Sequence, residues 1–219
     1  MGERLLKLFI DSFPKILIPG LTVTVPLTII SFSLAMVIAV AVALVQFANV
    51  KVLKPVARFY IWIFRGTPLL VQLFVVFFGL SRVGIVLEPF PAAVIVFSLN
   101  EGAYCAETVR AALESVPKGQ LEAGLCAGLS YLQTIFRIVL PQVVKKVLPP
   151  MSNEFMTLVK DTALAQTIGV AELFQFAQST SSRTFSILPI FVAGIFYLVM
   201  NAVVNLGFNL AEKKFNYYT

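Results

Sequence analysis

Four polar residues fall at helical spacing in an otherwise apolar stretch: Asn153, Glu154, Thr157 and Asp161, stepping by one, three and four. On a helix they share one face. That face carries two carboxylates and two neutral polar groups, which can hold a small ligand by charge and hydrogen bonds. Lys160 lies about 100° round the helix from Asp161, placed to pair with a carboxylate on a neighbouring helix. An earlier stretch offers Ser98, Asn100 and Glu101. Other chemistry is missing. The chain contains no His, which excludes histidine-based acid–base or metal chemistry. It has no G-x-S-x-G nucleophile motif and no G-x-x-x-x-G-K-[ST] phosphate loop, so a nucleotide would have to bind another polypeptide. Cys105 and Cys126 are isolated thiols that form neither a disulfide framework nor a metal cluster.

The elements that position these groups follow from composition. The 219 residues are 58% hydrophobic and 13% charged, with a mean hydropathy of +0.89. A soluble domain carries roughly a quarter charged residues, so this chain reads as a membrane protein. In a membrane a charge at a helix centre costs roughly 2.5–3.5 kcal/mol on insertion scales, and such groups face the interior and serve function. Glu101, Glu154 and Asp161 are therefore candidates for a substrate site. The net charge of +6 comes from short basic patches between apolar runs. That is a topology signal and not the clustered basic face of a nucleic-acid binder.

At about 20 residues per span, the length holds five transmembrane helices and one polar module, in a single all-α domain. The spans are expected over about 16–47, 56–80, 89–110, 147–173 and 184–211, with the polar module over about 115–142. Residues 3–15 set Leu5, Leu8, Phe9 and Phe13 among charges and read as an interfacial helix. The N-terminus lacks a compact signal-peptide layout, so the first apolar run is expected to be retained. That run is longer than one perpendicular crossing, which predicts tilt or irregular structure at Pro19-Gly20, and Pro26 is a candidate kink. In the second span, Arg65-Gly66-Thr67-Pro68 predicts a break, because Pro68 removes a donor and disfavours helix at Thr67. Arg65 reads as a snorkelling residue or a cap on the break's carbonyls. Glu107 and Arg110, three apart, predict an intrahelical pair. Gln175 to Arg183 reads as a polar loop.

Basic residues near span ends set orientation. Lys51, Lys54 and Arg58 fall on one side, with Arg110, Lys118, Arg137, Lys145, Lys146, Lys213 and Lys214. Arg82, Arg183 and the mixed N-terminus fall on the other. Five spans then run from an outside N-terminus to a cytoplasmic C-terminus, and the polar module is cytoplasmic.

Within that module Glu122-Ala123-Gly124 is followed by Gly128 and then Ile138-x-Leu140-Pro141. A short helix from about Gln120 to Ala127 presents Leu121, Leu125 and a surface of small residues. Gly124 and Gly128 permit close approach by a partner, and Gly128 can take the left-handed conformation that ends a helix. Pro141 restricts the chain before the fourth span. On spacing alone, an amphipathic helix lying on the bilayer fits as well. The pattern closely resembles the E-A-A, three residues, G, nine residues, I-x-L-P loop of the membrane-spanning subunits of bacterial ABC importers, with Gly124 in place of the last Ala. Further stretches are similar to the polar amino-acid, histidine/arginine/glutamine-type branch. They are Gly20-Leu21-x-x-Thr24, Phe64-Arg65-Gly66-Thr67-Pro68-Leu69-Leu70, Ala103-Tyr104-x-Ala106-Glu107-x-x-Arg110, Glu114-Ser115-Val116-Pro117-x-Gly119-Gln120, and Leu148-Pro149-Pro150-x-x-Asn153 with Lys160-Asp161-Thr162. The resemblance runs over nearly the whole chain.

The resemblance implies a type I ABC importer permease fold in the bacterial inner membrane, working as a homodimer or heterodimer. It implies a cytoplasmic helix-turn-helix docked on a separate ATPase subunit through Gln120, Glu122, Ala123, Gly124, Gly128, Leu140 and Pro141. An extracytoplasmic binding protein would deliver the amino acid. The chain itself would be non-catalytic and hold no cofactor, with ATP and magnesium on the ATPase. In the family the Lys160-Asp161-Thr162 segment is shared by members with differing substrates, which fits Asp161 to an α-amino group or a structural partner. Relatives tend to be uncharged where Glu154 stands, which points to a basic amino acid (arginine, lysine or histidine) with Glu154 reading its charge. A structural account pairs Glu154 with Lys160 or Arg65, or leaves it in headgroup-level water. Import of glutamine or glutamate is the nearest alternative. An ion-driven secondary transporter using Glu101, Glu154 and Asp161 is a further one, against which stand the short chain and the lack of an evident internal repeat.

Overall fold

Prolines, glycines and polar side chains decide where an apolar chain can change direction, because backbone in lipid must satisfy its own hydrogen bonds. The structure, a computed structural model, describes residues 2–48 and 50–215, with side chains for 7–48 and 50–214. The side chain of Leu5, one of the apolar positions of the expected interfacial helix, lies outside that set. Every regular element among the described residues is helical.

Helices α1 (Gly2–Pro19) and α2 (Val25–Phe47) join through a π turn at Gly20–Thr24. Lys7–Phe47 is one helix of 41 residues, about 60 Å long at 1.5 Å per residue. The interfacial helix over 3–15 and the span over 16–47 are thus not separate elements. The irregularity expected at Pro19-Gly20 takes the form of the π turn. It ends just before Pro26, where the Val25 N–H reaches back to Gly20 O. Proline lacks an N–H and crowds the preceding turn; the wider π turn absorbs it without ending the helix.

Helix α3 (Leu53–Gly66) stops at the predicted break. Thr67 is extended (φ −125°, ψ 146°), as a residue before proline prefers. Helix α4 (Leu69–Phe74), a π turn at Val75–Gly79 and α5 (Leu80–Arg82) then continue at 107° to α3. Gln72 holds the bend. Its Nε2 faces Phe64 O at 2.9 Å, Thr67 O at 3.1 Å and Thr67 Oγ1 at 2.8 Å. Its Oε1 accepts from Asn100 Nδ2 at 2.9 Å, and the same Asn100 amide reaches Phe64 O at 3.2 Å.

Asn100 belongs to α6 (Pro89–Glu114), which packs most closely on α2. Leu27, Ser31, Ala35, Ala39 and Ala43 make one buried ridge of α2 at four-residue spacing. Ala92, Val96, Ala103 and Ala106 of α6 are buried in the same clusters. Short side chains let two helices approach where lipid supplies no hydrophobic drive between them. Gly102 sits in this seam: a Cβ there would lie 3.0 Å from both Ile38 Cγ2 and the Tyr60 hydroxyl.

Helices α7 (Lys118–Cys126) and α8 (Tyr131–Thr134) form a hairpin, and α8 runs on through a π turn at Ile135–Val139 into α9 (Leu140–Asp161). Pro141 therefore does not interrupt the chain. It follows a π turn as Pro26 does, with Leu140 N–H reaching Ile135 O. The stretch expected as a fourth span over 147–173 is the body of α9 followed by a 3-10 turn, Thr162–Ile168, that stops at left-handed Gly169. The expected polar loop at 175–183 is helical: it belongs to α10 (Leu173–Thr184). Its cap is the buried Glu172, whose carboxylate accepts Phe174 N–H and Gln175 N–H at 2.8 Å each and the Tyr197 hydroxyl at 3.1 Å. A capping Glu is outside the usual Ser, Thr, Asp and Asn signal, so the start of α10 is hard to read from sequence. The Leu173 side chain lies over Gly20 and its N–H donates to Thr24 Oγ1 at 3.2 Å, tying α10 to the first π turn. Helix α11 (Leu188–Phe215) closes the fold.

By length and apolar character, Lys7–Phe47 and Leu188–Lys214 can cross a membrane, and the bent pair Leu53–Gly66 with Leu69–Arg82 is a third if counted as one span.

The bend at Thr67 yields a test. Gln72→Leu strips the Thr67 carbonyl of its side-chain donor, leaves Phe64 O with Asn100 alone and takes from Asn100 its Gln72 acceptor, and an unsatisfied buried group costs about 1–3 kcal/mol. Thermal unfolding of the detergent-solubilised protein should show a lower Tm. An unchanged Tm would mean the bend is held without Gln72.

Candidate functional site

The polar face of α9 and the second arm of the α7–α8 hairpin are two regions of one continuous helical rod. At its far end, α9 presents Asn153 and Thr157 exposed and Glu154 and Asp161 half-buried, on the face their spacing predicts. Across from them Glu101 is buried on α6, with Cys105 Sγ 3.6 Å from Glu101 Oε1. Glu101 is close enough to feel the charges of Glu154 and Asp161. Helices α6 and α9 pack together, with the three carboxylates near enough to interact through charge. Among the described residues none of the three has an ion pair, and Lys160 is exposed.

The other candidates lie elsewhere. Asn100 is at similar depth, but its amide serves Phe64 and Gln72 at the bend. Ser98 Oγ donates to Val94 O at 2.6 Å, within its own helix. Arg65 is not the cap of the bend, a task that falls to Gln72 and Asn100. Arg65 instead approaches Glu107 at 3.9 Å and lies over the Tyr104 ring, 5.2 Å from its centroid. It is still near enough to Glu154 to oppose that charge.

The Glu107–Arg110 pair is present: Arg110 donates to both Glu107 oxygens, at 3.2 and 2.7 Å, and to Glu114 at 2.7 Å. Glu107 also accepts from Gln46 Nε2 of α2 at 3.2 Å. It therefore links α2, α3 and α6 at one end of the bundle. The i, i+3 spacing shows only the local half of this cluster; Gln46 and Arg65 are brought in by packing.

The hairpin is shaped by its two helix ends. At the end of α7, Gly128 N–H reaches Leu125 O at 3.0 Å and Leu129 N–H reaches Gly124 O at 3.1 Å, with Gly128 left-handed at φ +84°. This is the paired closure of a Schellman motif. Two residues on, Ser130 Oγ accepts Gln133 N–H at 3.3 Å and Gln133 Oε1 accepts Ser130 N–H at 2.9 Å, a capping box that starts α8. The connection is therefore only Ala127, Gly128, Leu129 and Ser130.

Gly124 makes a close contact within its own chain. It is buried against Thr134, into which a Cβ on Gly124 would collide. Thr134 is fully buried and anchored by its hydroxyl to Ser130 O at 3.0 Å. The glycine thus serves the contact between α7 and α8 of its own chain. Gln120, Glu122 and Ala123 face outward, as do Leu125, Tyr131, Leu132 and Phe136, the last two 65% and 63% exposed. Leu140 and Pro141 sit past the turn, at the start of α9. Lys146 Nζ binds Ser115 O and Oγ at 3.0 and 2.9 Å, locking the hairpin base to the end of α6.

Comparison with known proteins places this arrangement. Residues 32–217 match the family described as binding-protein-dependent transport system inner membrane component. The chain is 44% identical over 210 residues to the L-cystine transport system permease protein TcyB of Bacillus subtilis (strain 168), covering 95% of this chain and 90% of the relative. It is 31% identical to the arginine transport system permease protein ArtQ of the same organism, covering 94% and 96%. A chain of a solved amino acid ABC transporter, determined with histidines, superposes with a TM-score of 0.85 at 32% identity, covering 94% of this chain and 96% of that one. ATP hydrolysis resides in a separate subunit of such systems, with a binding protein as further partner. The chain belongs to this inner-membrane transport family, as the non-catalytic, all-helical type I permease subunit of a polar amino-acid ABC importer.

Proposed function

We propose that this permease imports basic amino acids, arginine, lysine or histidine, by alternating access. The observation that carries this reading is the convergence of Glu101, Glu154 and Asp161 with no ion pair among the described residues, while Arg65 approaches Glu107. Arg65 lies near Glu154 and Lys160 near Asp161, but neither closes an ion pair with the three carboxylates among the described residues, which leaves them able to take a cation from the ligand. Glu154 reads the substrate's side-chain charge, which for a guanidinium allows two parallel hydrogen bonds. Asp161 holds the α-ammonium, Glu101 adds charge behind both, and Asn153 and Thr157 supply neutral hydrogen bonds. Asn100 supports the site through the bend.

Two such chains, alike or paired with a similar subunit, sit on two ATPases, each crossing the membrane five times from an outside N-terminus to a cytoplasmic C-terminus. The basic residues near span ends support that orientation. The exposed Leu125, Tyr131, Leu132 and Phe136 support docking of the hairpin, with Gln120, Glu122 and Ala123 on its outer face. ATP and magnesium belong to the ATPase, and the permease carries no cofactor. Closure of the ATPases moves each hairpin as a rigid body and switches access.

A second reading is favoured by the 44% identity to a permease named for L-cystine. Cystine carries two ammonium groups, which the same carboxylates would meet.

Substrate-stimulated ATP hydrolysis separates the two. The permease is reconstituted with its ATPase and binding protein, and arginine, lysine, histidine, cystine, glutamine and glutamate are compared. Stimulation is expected from the first three. Glu154→Gln should weaken their apparent affinity about 10- to 100-fold, the loss of a charged hydrogen bond, with assembly unchanged by size-exclusion chromatography. Stimulation by cystine alone would support the second reading, and stimulation by glutamine or glutamate would remove Glu154 as a charge reader.

Gly124→Ala tests the hairpin. Overpacking against Thr134 costs about 1–3 kcal/mol, so stimulated hydrolysis should fall several-fold, and Gly124→Ala with Thr134→Ala should recover it. Failure of the double variant to recover would show that the glycine serves the ATPase directly.

A further inference from the structure

Beside the end of α6 that leads into the hairpin lies a cleft of about 320 Å³ lined by Lys54, Arg58, Arg65, Glu107, Arg110 and Glu114. Four cations face two carboxylates. Arg110 is held between Glu107 and Glu114, and Arg65 leans on Glu107. Arg58 is exposed and makes no ion pair or side-chain hydrogen bond among the described residues. It shares a stripe of α3 with Lys54 one turn before and Trp62 one turn after, at i, i+4 spacing. Trp62 also lines the cleft; it is 70% exposed and stacks on Phe59, centroids 5.9 Å apart at 29°. Exposed Trp and Phe beside basic residues mark the boundary between hydrocarbon and water. The cleft thus sets a surplus of positive charge beside exposed aromatic rings, the chemistry of the headgroup boundary.

We propose that this cleft binds the phosphate of an anionic phospholipid. Arg58 supplies the forked contact that a guanidinium makes with phosphate, Lys54 and Arg65 add charge, and Trp62 and Phe59 lie along the first methylenes. Basic pockets between spanning helices hold anionic headgroups in this way. Naming the leaflet as cytoplasmic rests on the orientation proposed above; the site itself does not.

The test uses the permease assembled with its ATPase in nanodiscs of phosphatidylglycerol or of phosphatidylcholine, re-extracted into detergent, with retained lipid counted by native mass spectrometry. About one phosphatidylglycerol should stay with each permease chain, and no phosphatidylcholine. Arg58→Gln should cut retention about ten-fold, with partial recovery in Arg58→Lys, which keeps the charge but not the fork. Equal retention of the two lipids, or full retention in Arg58→Gln, overturns the proposal. Release by millimolar inorganic phosphate overturns it too, and reassigns the cleft to a soluble phosphate ligand. Lipid retention is read without transport, so a chain that keeps phosphatidylglycerol but fails to respond to basic amino acids refutes only the substrate assignment.

Discussion

Backbone that lies in hydrocarbon has no water to turn to, and each place where this chain departs from a straight α-helix carries its own supply of hydrogen bonds. At the Gly66-Thr67-Pro68 bend the supply is Gln72, backed by Asn100 from α6. Ahead of Pro26 and Pro141 it is a π turn whose last N–H reaches back five residues. Where the 3-10 turn gives way to α10, it is the carboxylate of Glu172. Thr28 Oγ1 on Thr24 O and Ser33 Oγ on Ile29 O do the same within α2. Polar residues in this chain are thus of two kinds. One kind completes the backbone, and the other has no such task. Among the described acidic groups that neither serve the backbone nor form an ion pair in the bundle stand Glu101, Glu154 and Asp161.

The second constraint is that lipid does not push helices together, so packing has to select partners. The buried ridge from Leu27 to Ala43 on α2, fitted to the alanines of α6, makes a close seam. The hairpin base is fastened to the same frame by Lys146 on Ser115. Glu107, receiving Gln46, Arg65 and Arg110, fastens the frame at that end.

What could be read in advance follows the range of the forces involved. Pro68 acts on Thr67 and on its own missing N–H, so the break was visible from four adjacent residues. Gly128 and the helix before it were visible because a helix stop is a local event. The face of Asn153, Glu154, Thr157 and Asp161 needed only the helical period. Gln72 and Asn100 were opaque, because their meaning depends on two segments crossing at 107°. So was Gly124: the spacing marked it as special but could not say whether the close neighbour was Thr134 or another subunit. The ridge of small residues on α2 was legible in principle, as a four-residue repeat, but an apolar run hides its own periodicity. The helix α10 was missed because Ser and Thr weigh toward loop while the cap that starts it is a Glu.

The absence of any loop between α8 and α9 has a mechanical consequence. From Tyr131 to Asp161 the chain is one continuous helical member of about 30 residues, some 45 Å long at 1.5 Å per residue, with the hairpin at one end and the carboxylates at the other. A tilt of a few degrees at one end of a member this long moves Glu154 and Asp161 by about 2–3 Å. The two prolines within α9 and the π turn at Ile135–Val139 set where that lever can flex. On the proposed reading of the hairpin as a docking arm, the length of this member sets how far a movement of the hairpin is carried toward the carboxylates.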